Sequence, residues 1–357
     1  MRVPPPPVRR LFTVPATAAL AAVAAAAVPV AVVLNCPVLL WRRPRWRLVR
    51  ITGYLLLYLC VDLTVLARVA GWRLRAADGR ERAAYRALGW SLDVLYRAAL
   101  RMLRLRVEVS APDGGSVVDH ATDRQQAQQA SVLEAAAAPD AEARRPLLVF
   151  ARHAGPGDSF LLVYALLCRL DRVPRVVLKN TLQLDPGIDA VLSATPSLFI
   201  DVNPEDGDGV RRSIQALSAE MGPDDALVLF PEGGNFTENR RRRVIEHLRQ
   251  RGERHRADQA RRLRHVLPPR PDGALAALAG APDADVVLVA HTGLDDLQSF
   301  GQIWRALPLD RVLVATFWRL PVTSLPCGED ERRAWLFERW AEIDAWVGRH
   351  HHGQNRG

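Results

Sequence analysis

The chain has 357 residues, 49% of them hydrophobic, with 48 Lys plus Arg against 39 Asp plus Glu and a formal net charge of +9. That supplies a substantial core for one large domain or two small ones, and the basic balance suits an anionic membrane surface or a nucleic acid as readily as a merely solvated exterior. Four well-separated cysteines, Cys36, Cys60, Cys168 and Cys327, exclude a disulfide framework and a cysteine zinc site, and read as free thiols in apolar surroundings.

After a short tail (1–10), Leu11 to Leu40 is apolar and uncharged. A bilayer core takes roughly 20 such residues as a helix, whereas a secretory signal has an apolar core of only about 7–15. Arg2, Arg9 and Arg10 precede it and Arg42, Arg43, Arg45, Arg47 and Arg50 follow it, which places the chain after residue 42 on the cytoplasmic side. Ile51 to Trp72 is a second apolar stretch, interrupted by Asp62 and Arg68. It reads as a second span, as an interfacial helix, or as a buried helix of the soluble part. A hairpin of two helices dipping into one leaflet keeps the following domain on the cytoplasmic side, where two full crossings would not. The membrane segment is therefore 11–72.

Residues 73–110 read as an amphipathic helix (81–104) joined to a first strand (103–109), and 111–145 as a low-complexity insertion with Gly114-Gly115, several Gln and four consecutive Ala. From 146 to 349, short apolar runs alternate with helical patterns: 146–150, 175–178, 198–202, 226–230, 285–289 and 312–315. Continuous apolar strands alternating with helices predict an α/β domain with a mostly parallel central sheet covered on both faces. Apolar residues at 335, 336, 340, 343, 346 and 347 form one face of a helix over 329–347, packed on the domain or set with its tryptophans at the membrane interface; 350–357 is a tail. Eleven arginines lie between Arg240 and Arg264, but no nucleic-acid motif or aromatic platform accompanies them, so this stretch reads as a solvated or membrane-facing helix. The histidines at 247, 255, 265 and 291 are scattered, and no metal constellation is expected.

Two motifs carry chemistry. The first strand of the α/β domain runs into Arg152-His153-Ala154-Gly155-Pro156-Gly157-Asp158-Ser159, where the Gly-Pro-Gly run forces a turn and Asp158 or Ser159 caps the next helix. That turn brings a carboxylate to an imidazole. A neutral imidazole takes the proton of an attacking hydroxyl, and a carboxylate on its other nitrogen fixes the tautomer and stabilises the imidazolium. No serine nucleophile is then required, because a substrate hydroxyl attacks. The second motif follows the 226–230 strand as Pro231-Glu232-Gly233-Gly234-Asn235-Phe236-Thr237. A strand-end carboxylate followed by two glycines lets backbone N–H groups approach a ligand. Residues 235–237 also match a glycosylation sequon.

Together these motifs resemble the glycerolipid acyltransferases, the 1-acylglycerol-3-phosphate O-acyltransferase family, whose hallmarks are His-x-x-x-x-Asp and a later Pro-Glu-Gly loop. Lys179-Asn180-Thr181-Leu182 with Pro186-Gly187, Phe199-Ile200-Asp201 and the Glu232–Glu238 run are similar to further blocks of the family, the last of them to its lysocardiolipin-acyltransferase-like branch. The resemblance implies transfer of a fatty acyl group from acyl-CoA or acyl-carrier protein, as donor substrate and not cofactor, to the hydroxyl of a lysolipid. It makes His153 the base and Asp158 its partner. Lys179, Pro231, Glu232, Gly233, Gly234, Asn235 and Thr237 become candidates for substrate binding, Lys179 toward a phosphate. The family usually has Arg where this chain has Val202 and Asn235; Arg211, Arg212 or Arg240 would then meet the phosphate, or the acceptor carries another head group. Besides the acyltransferase, the sequence leaves open a hydrolase using water and a catalytically silent membrane scaffold. The expected partners are membrane lipids, the thioester donor and a lysolipid, without nucleic acid.

Overall fold

The computed structural model describes residues 3–35, 46–74, 77–110, 116–119, 144–155, 157–201, 207–295, 297 and 299–351. Most of the 111–145 insertion, Val202, Cys36 and the end of the C-terminal tail lie outside them. The chain forms two compact units: Met1–Arg106 with Leu178–Asn203 and Phe300–Asp310, and Val107–Val177 with Pro204–Ser299 and Arg311–Gly357.

In the first unit, helices α1 (Pro6–Asn35) and α2 (Arg47–Ala70) take up the two apolar stretches. Both are long and apolar enough to cross a membrane, consistent with membrane association. They meet through Ala21, Ala24 and Leu59, while α1 leaves Leu11, Phe12, Leu20, Val23, Val33 and Leu34 exposed. The two helices differ in their polar connections. Along α2, Arg47 donates to the Leu307 carbonyl at 2.9 Å, Arg50 to that of Met102, Tyr54 to that of Leu95 at 3.4 Å and Tyr58 to the Asp185 carboxylate. Asp62 accepts the Gly187 N–H, and the Arg68 guanidinium lies 4.1 Å from the centre of the Trp90 ring. Of the two charges that interrupt the second apolar stretch, Asp62 is thus buried in protein, and Arg68 is exposed with its guanidinium against Trp90. Val65 and Trp72 continue the same face into a cluster with Ala84 and Ala87 of α3 (Ala77–Ala98) and Val191 and Leu192 of α5 (Pro186–Leu192). Arg9 and Arg10, the basic flank of the first apolar stretch, both pair with the fully buried Asp189 of α5. This unit also holds β5 (Leu198–Ile200) and α10 (Phe300–Ala306).

The second unit is built on a sheet ordered β2-β1-β8-β7-β3-β6-β4. Its strands are β1 (Arg106–Ser110), β2 (Ser116–Asp119), β3 (Leu147–Ala151), β4 (Val173–Lys179), β6 (Asp225–Leu229), β7 (Asp285–Thr292) and β8 (Val312–Leu320). β3 pairs in parallel with β6 and β7, and β6 with β4, as continuous apolar strands require. No residue of β3 is more than 2% exposed, so both its faces are covered. The antiparallel part, β7 with β8 and the β1–β2 pair, is concentrated at one end of the sheet. β2 falls inside the stretch expected to be an irregular insertion, and β8 runs five residues beyond its expected end at 315.

Around this sheet lie α4 (Asp158–Tyr164, extended by a wider π turn to Arg169), α6 (Gly207–Ala219), α7 (Glu238–Gln250), α8 (Arg254–Arg262), α9 (Pro271–Gly280) and α11 (Glu329–His351). α11 packs on β7 and α9, with Trp340 and Trp346 buried, so its apolar face belongs to the domain. Cys60, Cys168 and Cys327 are free thiols, as expected; Cys168 is half-buried, Cys60 is exposed on the apolar α2, and Cys327 is exposed outside the two apolar helices.

Candidate active site

Register brings the site together. β3, β6 and β7 are adjacent and parallel, with Phe150 opposite both Leu229 and Leu288, so the loops that leave their carboxyl ends emerge side by side. His153 leaves β3, Glu232 leaves β6, and His291 lies near the end of β7.

The turn after β3 is organised around Asp158. Its Oδ2 lies 2.9 Å from His153 Nδ1 and accepts the Ala154 and Gly155 N–H groups at 2.9 and 3.2 Å. Its Oδ1 accepts from Ser159, backbone at 2.6 Å and hydroxyl at 3.2 Å. The expected capping role differs from what is found. Gly157 occupies the N-cap with φ 99°, a left-handed conformation that favours glycine, and Asp158 is already helical. Its carboxylate is thereby directed back across the turn toward His153. Burial pushes the Asp158 carboxyl up, but the His153 hydrogen bond, the electrostatic pull of the His291 and His153 rings and the Gly155 N–H outweigh it and hold it below the ordinary carboxylate value. A carboxylate can only accept, so His153 Nδ1 carries the proton and Nε2 keeps its lone pair. The imidazole rests 4.7 Å, centre to centre, from the Phe230 ring and is 15% exposed. Among the described residues no hydrogen bond reaches its Nε2.

The loop after β6 is used differently. Glu232 is buried, and its two oxygens accept the backbone N–H groups of His153 at 3.0 Å and Leu267 at 2.8 Å. Burial pushes its carboxyl up to about 8 against the opposing pull of Arg152 and those two N–H groups. Phe236 N–H in turn donates to the His153 carbonyl at 2.8 Å, so the main chain of His153 is held on both sides by this loop. Gly233 adopts φ 68° and is exposed, whereas Pro231 and Gly234 are buried and Asn235 is half-buried. Thr237 caps α7, accepting from Arg240 N–H at 3.0 Å, and the Arg240 guanidinium returns to the Asn235 carbonyl at 3.0 Å. Eight of the nine candidate residues therefore gather in the second unit at two adjoining strand-end loops. Lys179, at the end of β4, belongs to the first unit.

Sequence reasoning missed a second set of residues. Arg152 is 1% exposed and donates to the carbonyls of His291 at 2.6 Å and His265 at 2.9 Å, and pairs with Asp295, whose carboxyl is held at about 2. Burial would raise that carboxyl; the Arg152 guanidinium overrides it. His265 lies in a segment whose 264–266 N–H groups all donate to Asp344 of α11, at 2.6 to 3.1 Å. His291 had one available signal, its place near the end of a parallel strand. Among the described residues no three His, Cys, Asp or Glu side chains gather as a metal site would require.

Fold and site together define a class: an α/β domain whose parallel strands present an imidazole, oriented by a buried carboxylate, with no serine or cysteine side chain joined to that imidazole among the described residues. Residues 125–296, just under half of the chain, match the family model described as Acyltransferase, and that match supports acyl transfer by an O-acyltransferase as the general chemistry. No curated protein and no solved structure matches the chain.

Proposed function

We propose that this protein is a membrane-associated O-acyltransferase that moves a fatty acyl group from acyl-CoA or acyl-carrier protein to the hydroxyl of a lysophospholipid such as 1-acylglycerol-3-phosphate. The observation that carries the reading is the 2.9 Å contact of His153 Nδ1 with Asp158, which leaves Nε2 as the proton acceptor. The acceptor oxygen attacks the thioester carbonyl carbon while Nε2 takes its proton. As the tetrahedral intermediate collapses, the carbon–sulfur bond breaks and the imidazolium returns the proton to the departing thiolate. Asp158, held ionised, stabilises the imidazolium between the two transfers.

The acceptor's head group is contacted, in this reading, by the exposed Gly233 backbone and by Arg240, whose guanidinium lies against the Gly234–Asn235 backbone and offers the charge that Asn235 lacks. A different acceptor, without the phosphate, is the second reading, favoured by Asn235 itself. The likeness to the lysocardiolipin-acyltransferase-like branch rests on the Glu232–Glu238 run. We assign α1 and α2 to a hairpin held in one leaflet, with the domain on the cytoplasmic side. Polar links from Arg47 to Arg68 run along the whole of α2 and leave it no uninterrupted lipid-facing circumference.

The test is to supply purified protein with acyl-CoA or acyl-carrier protein and a panel of lysolipids, and to identify acylated products by mass spectrometry. Diacyl product from one lysolipid is expected, with 1-acylglycerol-3-phosphate preferred if Arg240 serves the phosphate. Release of free fatty acid without acceptor indicates a hydrolase, and no thioester consumption with any lysolipid indicates a scaffold.

A further inference from the structure

His291 is a buried histidine to which the chemistry above gives no role. Its Nε2 lies 3.0 Å from the carbonyl oxygen of Arg152, the residue immediately before His153. A carbonyl only accepts, so Nε2 carries the hydrogen, and the neutral ring leaves Nδ1 bare. That Nδ1 is buried and has no hydrogen-bond partner among the described residues. A second proton there would be an N–H with no acceptor, beside the Arg152 guanidinium, and burial correspondingly pushes the ring's proton affinity down against the pull of Asp158. The charged and titratable groups around the ring are Asp158 from α4, Arg152 directly after β3 and Asp295 beyond β7. They leave His291 in one tautomer at neutral pH.

That tautomer acts in two places. Arg152 is tied to β7 three times: its N–H to the Val289 carbonyl at 3.0 Å, its guanidinium to the His291 carbonyl at 2.6 Å, and its own carbonyl to His291 Nε2. The same Nε2 stands 3.7 Å from Asp158 Oδ2, the oxygen that holds His153. At that separation it makes no hydrogen bond, but its N–H dipole favours the anion. We propose that His291 is a positioning residue for the His153–Asp158 pair, fixing through the Arg152 carbonyl the main chain from which His153 projects and keeping the N–H-bearing edge of its ring 3.7 Å from the carboxylate that orients the base. The proposal rests on the reading of His153 as the base.

The test compares His291→Phe, which keeps a ring and removes the donor, with His291→Gln, whose amide nitrogen reaches to a similar distance and restores it. In the full-length protein, H291F is expected to lower kcat by about ten- to a hundredfold, the scale of a small displacement of a catalytic group, with KM for donor and acceptor nearly unchanged. H291Q is expected to recover most of that loss. If H291F fails to fold, His291→Asn, with an amide too short to reach the Arg152 carbonyl, takes its place in the comparison. Wild-type kcat in the donor-less variant, or H291Q no better than it, overturns the proposal. His153→Ala, measured beside them, separates the two ideas. An inactive His153→Ala with fully active H291F sinks only the role of His291, whereas an active His153→Ala sinks the base and this proposal together.

Discussion

The turn after β3 and the loop after β6 have similar ingredients, a strand end, a carboxylate and nearby glycines, yet their acids are employed in opposite ways. Asp158 orients a side chain that keeps one nitrogen accessible, and its surroundings hold it ionised. Glu232 has both oxygens engaged by backbone N–H groups, and burial pushes it up to about 8. The lesson is that a carboxylate in a motif is assigned by what its oxygens meet. In the proposed reading Asp158 belongs to the proton chemistry, whereas Glu232 holds the backbone of His153.

Substitutions in each loop should separate those roles. The largest effect is expected from His153→Ala, a loss of about 10⁴-fold in kcat, the upper end for a positioned base, with the melting temperature in detergent nearly unchanged. Asp158→Asn keeps the base but no longer fixes its tautomer, so a fall of about 10³-fold is expected, again mainly in kcat. Glu232→Ala should behave differently. It strips the His153 and Leu267 N–H groups of their acceptor, at roughly 1–3 kcal/mol each, so a lowered melting temperature should accompany a smaller, roughly tenfold loss of kcat. A Glu232→Ala protein of wild-type stability that loses activity as completely as His153→Ala would place Glu232 with the reacting atoms and erase the contrast.

Acid and base titration sharpens the same comparison with a subtler signal. Glu232 has its pKa raised from 4.5 to about 8, so its contribution to stability is complete below pH 4.5 and is lost as pH rises through about 8. Asp158 is shifted the other way: its contribution is present above its unfolded value of 3.8 and is lost as pH falls. Melting temperature followed against pH should therefore lose part of its decline between about pH 4.5 and 8 in Glu232→Gln and part of its decline below pH 3.8 in Asp158→Asn. Identical curves for both variants would contradict the opposed assignment.

Much of this site could be read from the residues. Continuous apolar runs such as Leu147–Ala151 state a parallel, doubly covered sheet, and a His and an Asp separated by Gly-Pro-Gly state a turn that can join them. What escaped the reading depends on neighbours distant in sequence. His291 and Arg152 meet only because β7 pairs with β3, and beyond the place of His291 near a strand end nothing in the local pattern distinguishes a buried network from a surface charge. The direction of the Asp158 carboxylate also depended on Gly157 taking the cap position itself. The role of Glu232 could not be read from its loop because one of its partners, Leu267, lies 35 residues away. The second apolar stretch was ambiguous for a related reason: Asp62 and Arg68 interrupt a span until Gly187 and Trp90 are seen to receive them.

One consequence concerns any attempt to trim this protein for solution work. Asp189 is wholly buried and is met by both Arg9 and Arg10. A variant shortened to begin after α1 would strip that carboxylate of both counter-ions, a loss that for a pair whose site stays buried is on the order of 3–5 kcal/mol. Replacing Asp189 by Asn in the shortened chain is the natural companion change, since it removes the stranded charge together with the arginines that neutralised it.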